Sequence, residues 1–252
     1  MSEPFLVAQD LHKSFNEHKA VDGISFTIYK GEMFGLLGPN GAGKTTTIRI
    51  LSTVLEPDRG DVTIGGYSVR HKSDAVRRLI GVCPQELALY EELSALDNLV
   101  FFGRMVGLDG RDARAQAEAH LELMGLAERA KGRVDKFSGG MKRRVNLAVS
   151  LMGHPELLFL DEPTAGIDPQ SRNNIYETIA GLRGEGMTIL YTTHYMEEAD
   201  RLCDRVAIMD GGQIIAMDTP RELRGQIGPP DQVTLEDVFL RLTGRSLRDM
   251  KT

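Results

Sequence analysis

Tryptophan is absent from this 252-residue chain, cysteine occurs twice, and aromatics make up only 6% of it. Cys83 and Cys203 stand far apart without metal-ligand spacing, which predicts reduced core thiols rather than a disulfide framework or a zinc site. No apolar run approaches the ~18 residues a membrane span requires. Met1-Ser2-Glu3-Pro4 has neither a basic start nor an apolar signal core, so no secretory leader is expected. A basic excess is missing too: the net charge of −6 argues against a nucleic-acid partner. If such a chain works at a membrane, a partner must hold it there. The hydrophobic share of 41% and the charged share of 26% suit a globular chain with a full core. Its length allows one large domain or two small ones.

The most informative stretch is Gly38-Pro39-Asn40-Gly41-Ala42-Gly43-Lys44-Thr45, which fits the pattern G-x-x-x-x-G-K-[ST]. Met33-Phe34-Gly35-Leu36-Leu37 before it reads as a buried strand. Thr46 to Leu51 after it reads as a helix with Ile48, Leu51 and Leu55 on one face. Gly38, Gly41 and Gly43 let the backbone curl with its N–H groups pointing inward, and the helix N-terminus adds positive potential. Lys44 can then reach β- and γ-phosphates, and the Thr45 hydroxyl can ligate Mg²⁺.

Other stretches read as follows. Residues 5–32 form an antiparallel strand region, with Phe15 in a polar stretch where it either stacks on a base or folds over a small core. A strand over Leu79–Cys83 ends at Pro84-Gln85, which puts Gln85 at a carboxyl edge as a site residue or a plain loop residue. From Leu93 to Met124 the pattern turns helical, broken at 107–110, as in a helical subdomain inserted into an α/β core. Ser138 predicts an N-cap. Gly139 and Gly140 in the first helical turn imply something close to the backbone. Lys142, Arg143 and Arg144 oppose the helix dipole there, which a bound anion would resolve; the plainer reading is a solvated basic face.

Leu157 to Leu160 reads as a buried strand emerging into Asp161-Glu162. One acid would serve Mg²⁺, the other would orient or deprotonate an attacking water, and period-two alternation points them apart. A turn through Asp168 leads to Pro169 as the first residue of a helix over 170–183. Met187 to Thr192 forms another buried strand, and His194 leaves its end.

Taken in order, the phosphate loop, Gln85, Ser138-Gly139-Gly140, Asp161-Glu162, Asp168 and His194 resemble the nucleotide-binding subunit of an ABC transporter over about residues 5–225. The resemblance implies an α/β phosphate-loop core, an antiparallel β subdomain and a helical subdomain near 86–155, within a domain of residues 1–228 followed by a tail of 229–252. It implies ATP and Mg²⁺ as ligands. Glu162 becomes the general base, His194 the γ-phosphate sensor and Phe15 the adenine stack. Gly38, Asn40, Gly41, Gly43, Lys44, Thr45 and Thr46 become the phosphate site. Thr45, Asp161 and Gln85 become the metal site, with Gln85 also the link to the transmembrane partner. Ser138, Gly139, Gly140 and Asp168 would serve ATP held by the opposite subunit of an ATP-dependent homodimer. An integral-membrane permease, a cytoplasmic location on the inner membrane face and no nucleic-acid partner follow as expectations.

Phe137 and Met141 around the glycines, and Ala165-Gly166-Ile167 before Asp168, depart from the commonest family forms. The Ser-Gly-Gly-Met-Lys-Arg-Arg form is similar to ATPases of drug-resistance and of polysaccharide or lipid exporters, and the ending at 235–244 resembles the tail of the daunorubicin-resistance type, which implies an exporter of drugs, lipids or polysaccharide. Two alternatives are a regulatory ATPase whose membrane partner moves no solute and a soluble DNA- or ribosome-associated relative.

Overall fold

In the computed structural model, which describes residues 3–244, apolar strands that alternate between two faces organise everything else. Met1 and Ser2, and residues 245–252 of the expected tail, lie outside the described residues. The chain begins with β1 (Pro4–Phe15) and β2 (His18–Tyr29), an antiparallel pair. It continues through β3 (Met33–Leu37), α1 (Lys44–Leu51), β4 (Arg59–Ile64), β5 (Tyr67–Ser68), α2 (Ser73–Arg77) and β6 (Ile80–Cys83). Three helices follow: α3 (Ala95–Met105), α4 (Gly110–Leu123) and α5 (Gly139–Ser150). Strand and helix then alternate as β7 (Leu157–Asp161), α6 (Pro169–Gly184), β8 (Thr188–Thr193), α7 (Met196–Leu202) and β9 (Arg205–Asp210). The described chain closes with β10 (Gln213–Asp218), α8 (Pro220–Gly225) and α9 (Leu235–Thr243).

Two sheets result. One has four strands in the order β2-β1-β4-β5, the other six in the order β10-β9-β3-β8-β7-β6. Within the larger sheet β3, β6, β7, β8 and β9 run parallel, and β10 turns back antiparallel on β9. Side chains alternate across it. Phe34, Leu36, Phe159, Leu190 and Ala207 face the smaller sheet and α1. Met33, Leu37, Leu158, Leu160 and Tyr191 face the helices from α3 onward. A sheet buried on both faces explains why its strands read as continuous apolar runs rather than alternating ones.

The antiparallel region expected at residues 5–32 is present, with the polar stretch up to Phe15 inside β1: β2 pairs with β1 as far as Phe15↔His18 and β4 as far as His12↔Arg59. The stretch between His194 and Leu235, for which no element was expected, holds α7, β9, β10 and α8. Its last helix partner, α9, opens with a capping box in which Thr234 and Asp237 satisfy each other's backbone N–H groups. Leu235, Val238 and Phe239 of α9 are buried in the same core as the large sheet. Phe239→Ala should therefore cost about 3–5 kcal/mol, the usual range for a buried Phe truncated to Ala. Denaturant unfolding of the variant measures this, and a loss under about 1 kcal/mol would contradict the packing of α9.

Candidate functional site

Parallel register brings distant parts of the chain to one edge. Leu37 at the end of β3 pairs with Thr193 of β8, and Thr192 pairs with Asp161 of β7. The segments leaving these strands carry the phosphate loop, Glu162 and His194, so all three emerge at the carboxyl edge of adjacent strands. There Lys44 Nζ donates to the Gly38 carbonyl at 2.8 Å and the Pro39 carbonyl at 3.1 Å. It lies 3.1 Å from Glu162 Oε1, with Lys44 only 5% exposed. The other Glu162 oxygen sits 2.9 Å from His194 Nδ1. A buried lysine, a buried carboxylate and a partly exposed imidazole thus form one relay.

The turn that aims Glu162 is strained in a specific way. Its φ is +46°, in the left-handed region that non-glycine residues seldom enter. Two bonds hold it there: the Glu162 N–H reaches the Thr192 carbonyl at 3.2 Å and the Thr192 hydroxyl at 3.0 Å. That hydroxyl donates in turn to Asp161 Oδ1 at 2.7 Å. Asp161 and Glu162 therefore point to different partners, as expected, although a left-handed turn past the strand end contributes to it. Burial pushes the Glu162 carboxyl up, but the His194 hydrogen bond and the Lys44 charge outweigh this and hold it below the usual carboxylate range.

The residues fit a nucleotide phosphate and a hard cation. Helix α1 starts after Gly43 at φ +103°, and no side chain among the described residues caps it. Its first-turn N–H groups, including those of Thr45 and Thr46, suit an anion. A Cβ at Gly43 would collide with the Ala20 carbonyl, and one at Gly38 with the Met209 carbonyl, so these two positions admit glycine alone. Asp161, nearly fully buried, and the half-buried Thr45 offer the all-oxygen donors Mg²⁺ prefers. Mg²⁺ bound there would neutralise phosphate charge.

The remaining candidates lie outside the relay. Phe15 is 46% exposed, which overturns the reading of a ring folded over the small core, and the Lys13 ammonium stands over its ring at 5.9 Å. Gln85 is exposed just past β6, and its backbone carbonyl is gripped by Arg143 at 2.7 Å. Ser138 caps α5 by accepting from the Met141 N–H at 3.3 Å. A Cβ on Gly140 would run into the Ser171 side chain at the start of α6, whereas Gly139 has open space around it. Asp168 caps α6 through the Ser171 N–H at 2.9 Å. Among the described residues, no hydrogen bond or ion pair joins Ser138, Gly139, Gly140 or Asp168 to the Lys44 relay.

The cations after the glycines need correcting. A solvated basic face does not describe them, because each is engaged inside the chain, although Nε of Arg143 and of Arg144 is buried without a hydrogen-bond partner among the described residues. Lys142 pairs with Glu91 at 2.6 Å, and Arg143 reaches the Pro84 and Gln85 carbonyls at 2.9 and 2.7 Å. Arg144 donates to the Met124 carbonyl at 2.7 Å. They tie the start of α5 to the segments before and after α3 and α4. Sequence reasoning also missed Thr192 and Glu198, since a threonine inside a strand and an acid in a helix's first turn carry no distinctive signal.

Beside the relay lies a cavity of about 580 Å³ lined by Asn40, Arg172, Tyr176, His194, Glu198 and Leu235, among others. A phosphate loop on a central parallel strand, with acids and a histidine at neighbouring strand ends, defines a nucleoside triphosphate hydrolase. The family profile described as "ABC transporter" matches residues 21–165. The chain is 50% identical over 223 residues to the linearmycin resistance ATP-binding protein LnrL of Bacillus subtilis (strain 168), covering 88% of this chain and 72% of that one. It is 44% identical over 245 residues to the daunorubicin resistance ATP-binding protein DrrA3 of Streptomyces coeruleorubidus, covering 97% and 76%. A solved ATP-binding subunit of an ABC transporter superposes with a TM-score of 0.84 at 30% identity, covering 95% of this chain and 99% of that one. The chain belongs to the ABC transporter family, as an ATP-binding and ATP-hydrolysing subunit that works with Mg²⁺.

The lowered Glu162 value has a consequence for stability. A carboxyl held below its unfolded value contributes fully above pH ~4.3, and that contribution is lost as pH falls through the folded value. Glu162→Gln should cost about 1–3 kcal/mol at pH 7, from the loss of charge-assisted bonds. Urea unfolding at several pH values should show this gap closing toward pH 3; a gap that stays constant would contradict the assignment.

Proposed function

We propose that this chain is the ATP-hydrolysing half of an exporter, closing as a homodimer around two Mg·ATP and resetting a separate membrane permease. The observation that carries the reading is the relay of Lys44, Glu162 and His194 beside the phosphate loop. Glu162 is the base that takes a proton from the attacking water, and His194 holds Glu162 and senses the γ-phosphate. Gly38, Asn40, Gly41, Gly43, Lys44, Thr45 and Thr46 cradle the phosphates of ATP, and Phe15 stacks on the adenine. Thr45 and Asp161 hold Mg²⁺, joined by Gln85 when the site closes. Residues 1–228 serve as the ATPase domain, with a helical subdomain at about 86–155, and 229–252 as its tail.

The partner readings have their own support. Names of the relatives, linearmycin and daunorubicin resistance proteins, favour export of a drug-like cargo. Leu87, Tyr90, Leu93, Phe101, Met105 and Val106 are all exposed between Gln85 and the C-cap of α3. An apolar face of that kind suits a membrane permease that holds the chain at the inner face of the membrane. Among the described residues no helix is long and apolar enough to cross a membrane itself. The start of α5 supports a trans site. Its positive helix end and the first-turn N–H groups that Ser138 does not cap would face an anion at the exposed Ser138 and Gly139.

Glu162→Gln removes the base and keeps the side-chain size, so it should bind ATP without turnover and accumulate as a dimer, since ligand bound to the closed form shifts the population toward it. Adding Ser138→Arg should return it to monomer while each chain still binds ATP. Light scattering with and without Mg·ATP reads both. A monomeric Glu162→Gln with ATP bound would contradict closure, and a double variant that dimerises equally well would contradict the trans site.

A further inference from the structure

Helix α7 carries a buried acid that the account above leaves without a task. Glu198 is 4% exposed, and its carboxylate accepts four hydroxyl hydrogen bonds. Thr164 at 2.8 Å and Tyr176 at 2.7 Å donate to Oε1; Tyr191 at 2.8 Å and Thr193 at 2.8 Å donate to Oε2. The donors come from three separate segments. Thr164 lies two residues beyond Glu162, Tyr176 is on α6, and Tyr191 and Thr193 are on β8 directly before His194. The Thr193 hydroxyl also accepts the Tyr195 N–H at 2.9 Å, so it grips the backbone on the far side of His194. Burial, followed by the Glu198 charge or hydrogen bond, pushes both tyrosine hydroxyls up, which keeps them protonated donors.

We propose that Glu198 is a positioning residue for ATP hydrolysis: it ties the segment after Glu162 and the segment around His194 to one point, and so sets the 2.9 Å bond between those two side chains. The inference rests on the reading of Glu162 and His194 as hydrolytic residues. Only a carboxylate accepts from all four hydroxyls at once. A glutamine in its place would accept on one oxygen and donate from its nitrogen. The Thr193 hydroxyl, already accepting from Tyr195, would then face a second donor while its own proton lost its partner. The side facing His194 would loosen while the volume of the core stayed the same.

Single-turnover hydrolysis of Mg·ATP by the full chain, with protein in excess, tests this, alongside calorimetric ATP affinity. Glu198→Gln should slow hydrolysis about tenfold while the ATP Kd stays within about twofold, because the lost contacts act on the reacting geometry and not on the phosphate loop. In a His194→Ala background the same substitution should slow hydrolysis by less than about twofold, since residues acting through one another are not additive. Equal losses in the two backgrounds, or a lowered Tm with an unchanged rate, would overturn the proposal. If His194→Ala itself leaves the rate unchanged, the reading of His194 fails and this inference falls with it; additive losses beside an impaired His194→Ala sink this inference alone. Should Glu198→Gln not fold, Thr193→Val removes one tether at nearly constant volume and enters the same cycle under the same two criteria.

Discussion

A lysine ammonium taken out of water is costly unless its donors are satisfied and its charge is paired. Lys44 meets both demands with two loop carbonyls and one carboxylate, and this requirement shapes the centre of the molecule. The carbonyls of Gly38 and Pro39 are available only because the loop curls back on itself, and that curl needs glycine where Ala20 and Met209 carbonyls press against it. The carboxylate is available only because Glu162 adopts a left-handed turn, which Thr192 secures with two bonds. Replacing one Lys44 partner by a phosphate oxygen keeps the charge balance. A phosphate oxygen that took Lys44 would therefore compete with Glu162 for the same charge.

The sheet makes this possible at modest cost in chain complexity. Adjacent parallel strands β3, β8 and β7 end at one level, so three short segments meet without long loops. The smaller antiparallel sheet braces α1 from the far side through Ile48, Ile50 and Leu51. On the other face, α6 and α7 carry Tyr176 and Glu198 toward the same edge, where the carboxylate gathers hydroxyls from both flanks of the relay. Rigid elements on each side hold Lys44, Glu162 and His194, while the starts of α5 and α6 stay exposed.

Legibility in the sequence followed the range of the interaction. The phosphate loop was readable because its chemistry is local backbone geometry: a glycine pattern, then Lys44, then a helix. Buried strands such as Leu157–Asp161 showed as apolar runs, and Ser138 and Pro169 marked helix starts through capping rules that act within one turn. Interactions across the fold were not readable. Glu197-Glu198 looks like an ordinary acidic first turn, and nothing local says that four hydroxyls from other segments will converge on one of the pair. Lys142, Arg143 and Arg144 likewise have destinations set by tertiary packing, on Glu91 and on carbonyls far along the chain. The hairpin β9–β10 escaped notice because its apolar run, Val206 to Met209, is short and hemmed by charges. For Phe15 the two readings were balanced until its exposure decided against the core.

The Lys44 charge, shared between two loop carbonyls and Glu162, is the pivot of the site. Steady-state hydrolysis of Mg·ATP by Lys44→Ala, with the melting curve recorded to establish that the variant is folded, tests it most directly. Loss of an electrostatic group aimed at transferring charge typically costs about 10²–10³ in rate, and the account predicts a fall of at least that order. A folded Lys44→Ala chain that hydrolyses ATP at the parent rate would contradict it.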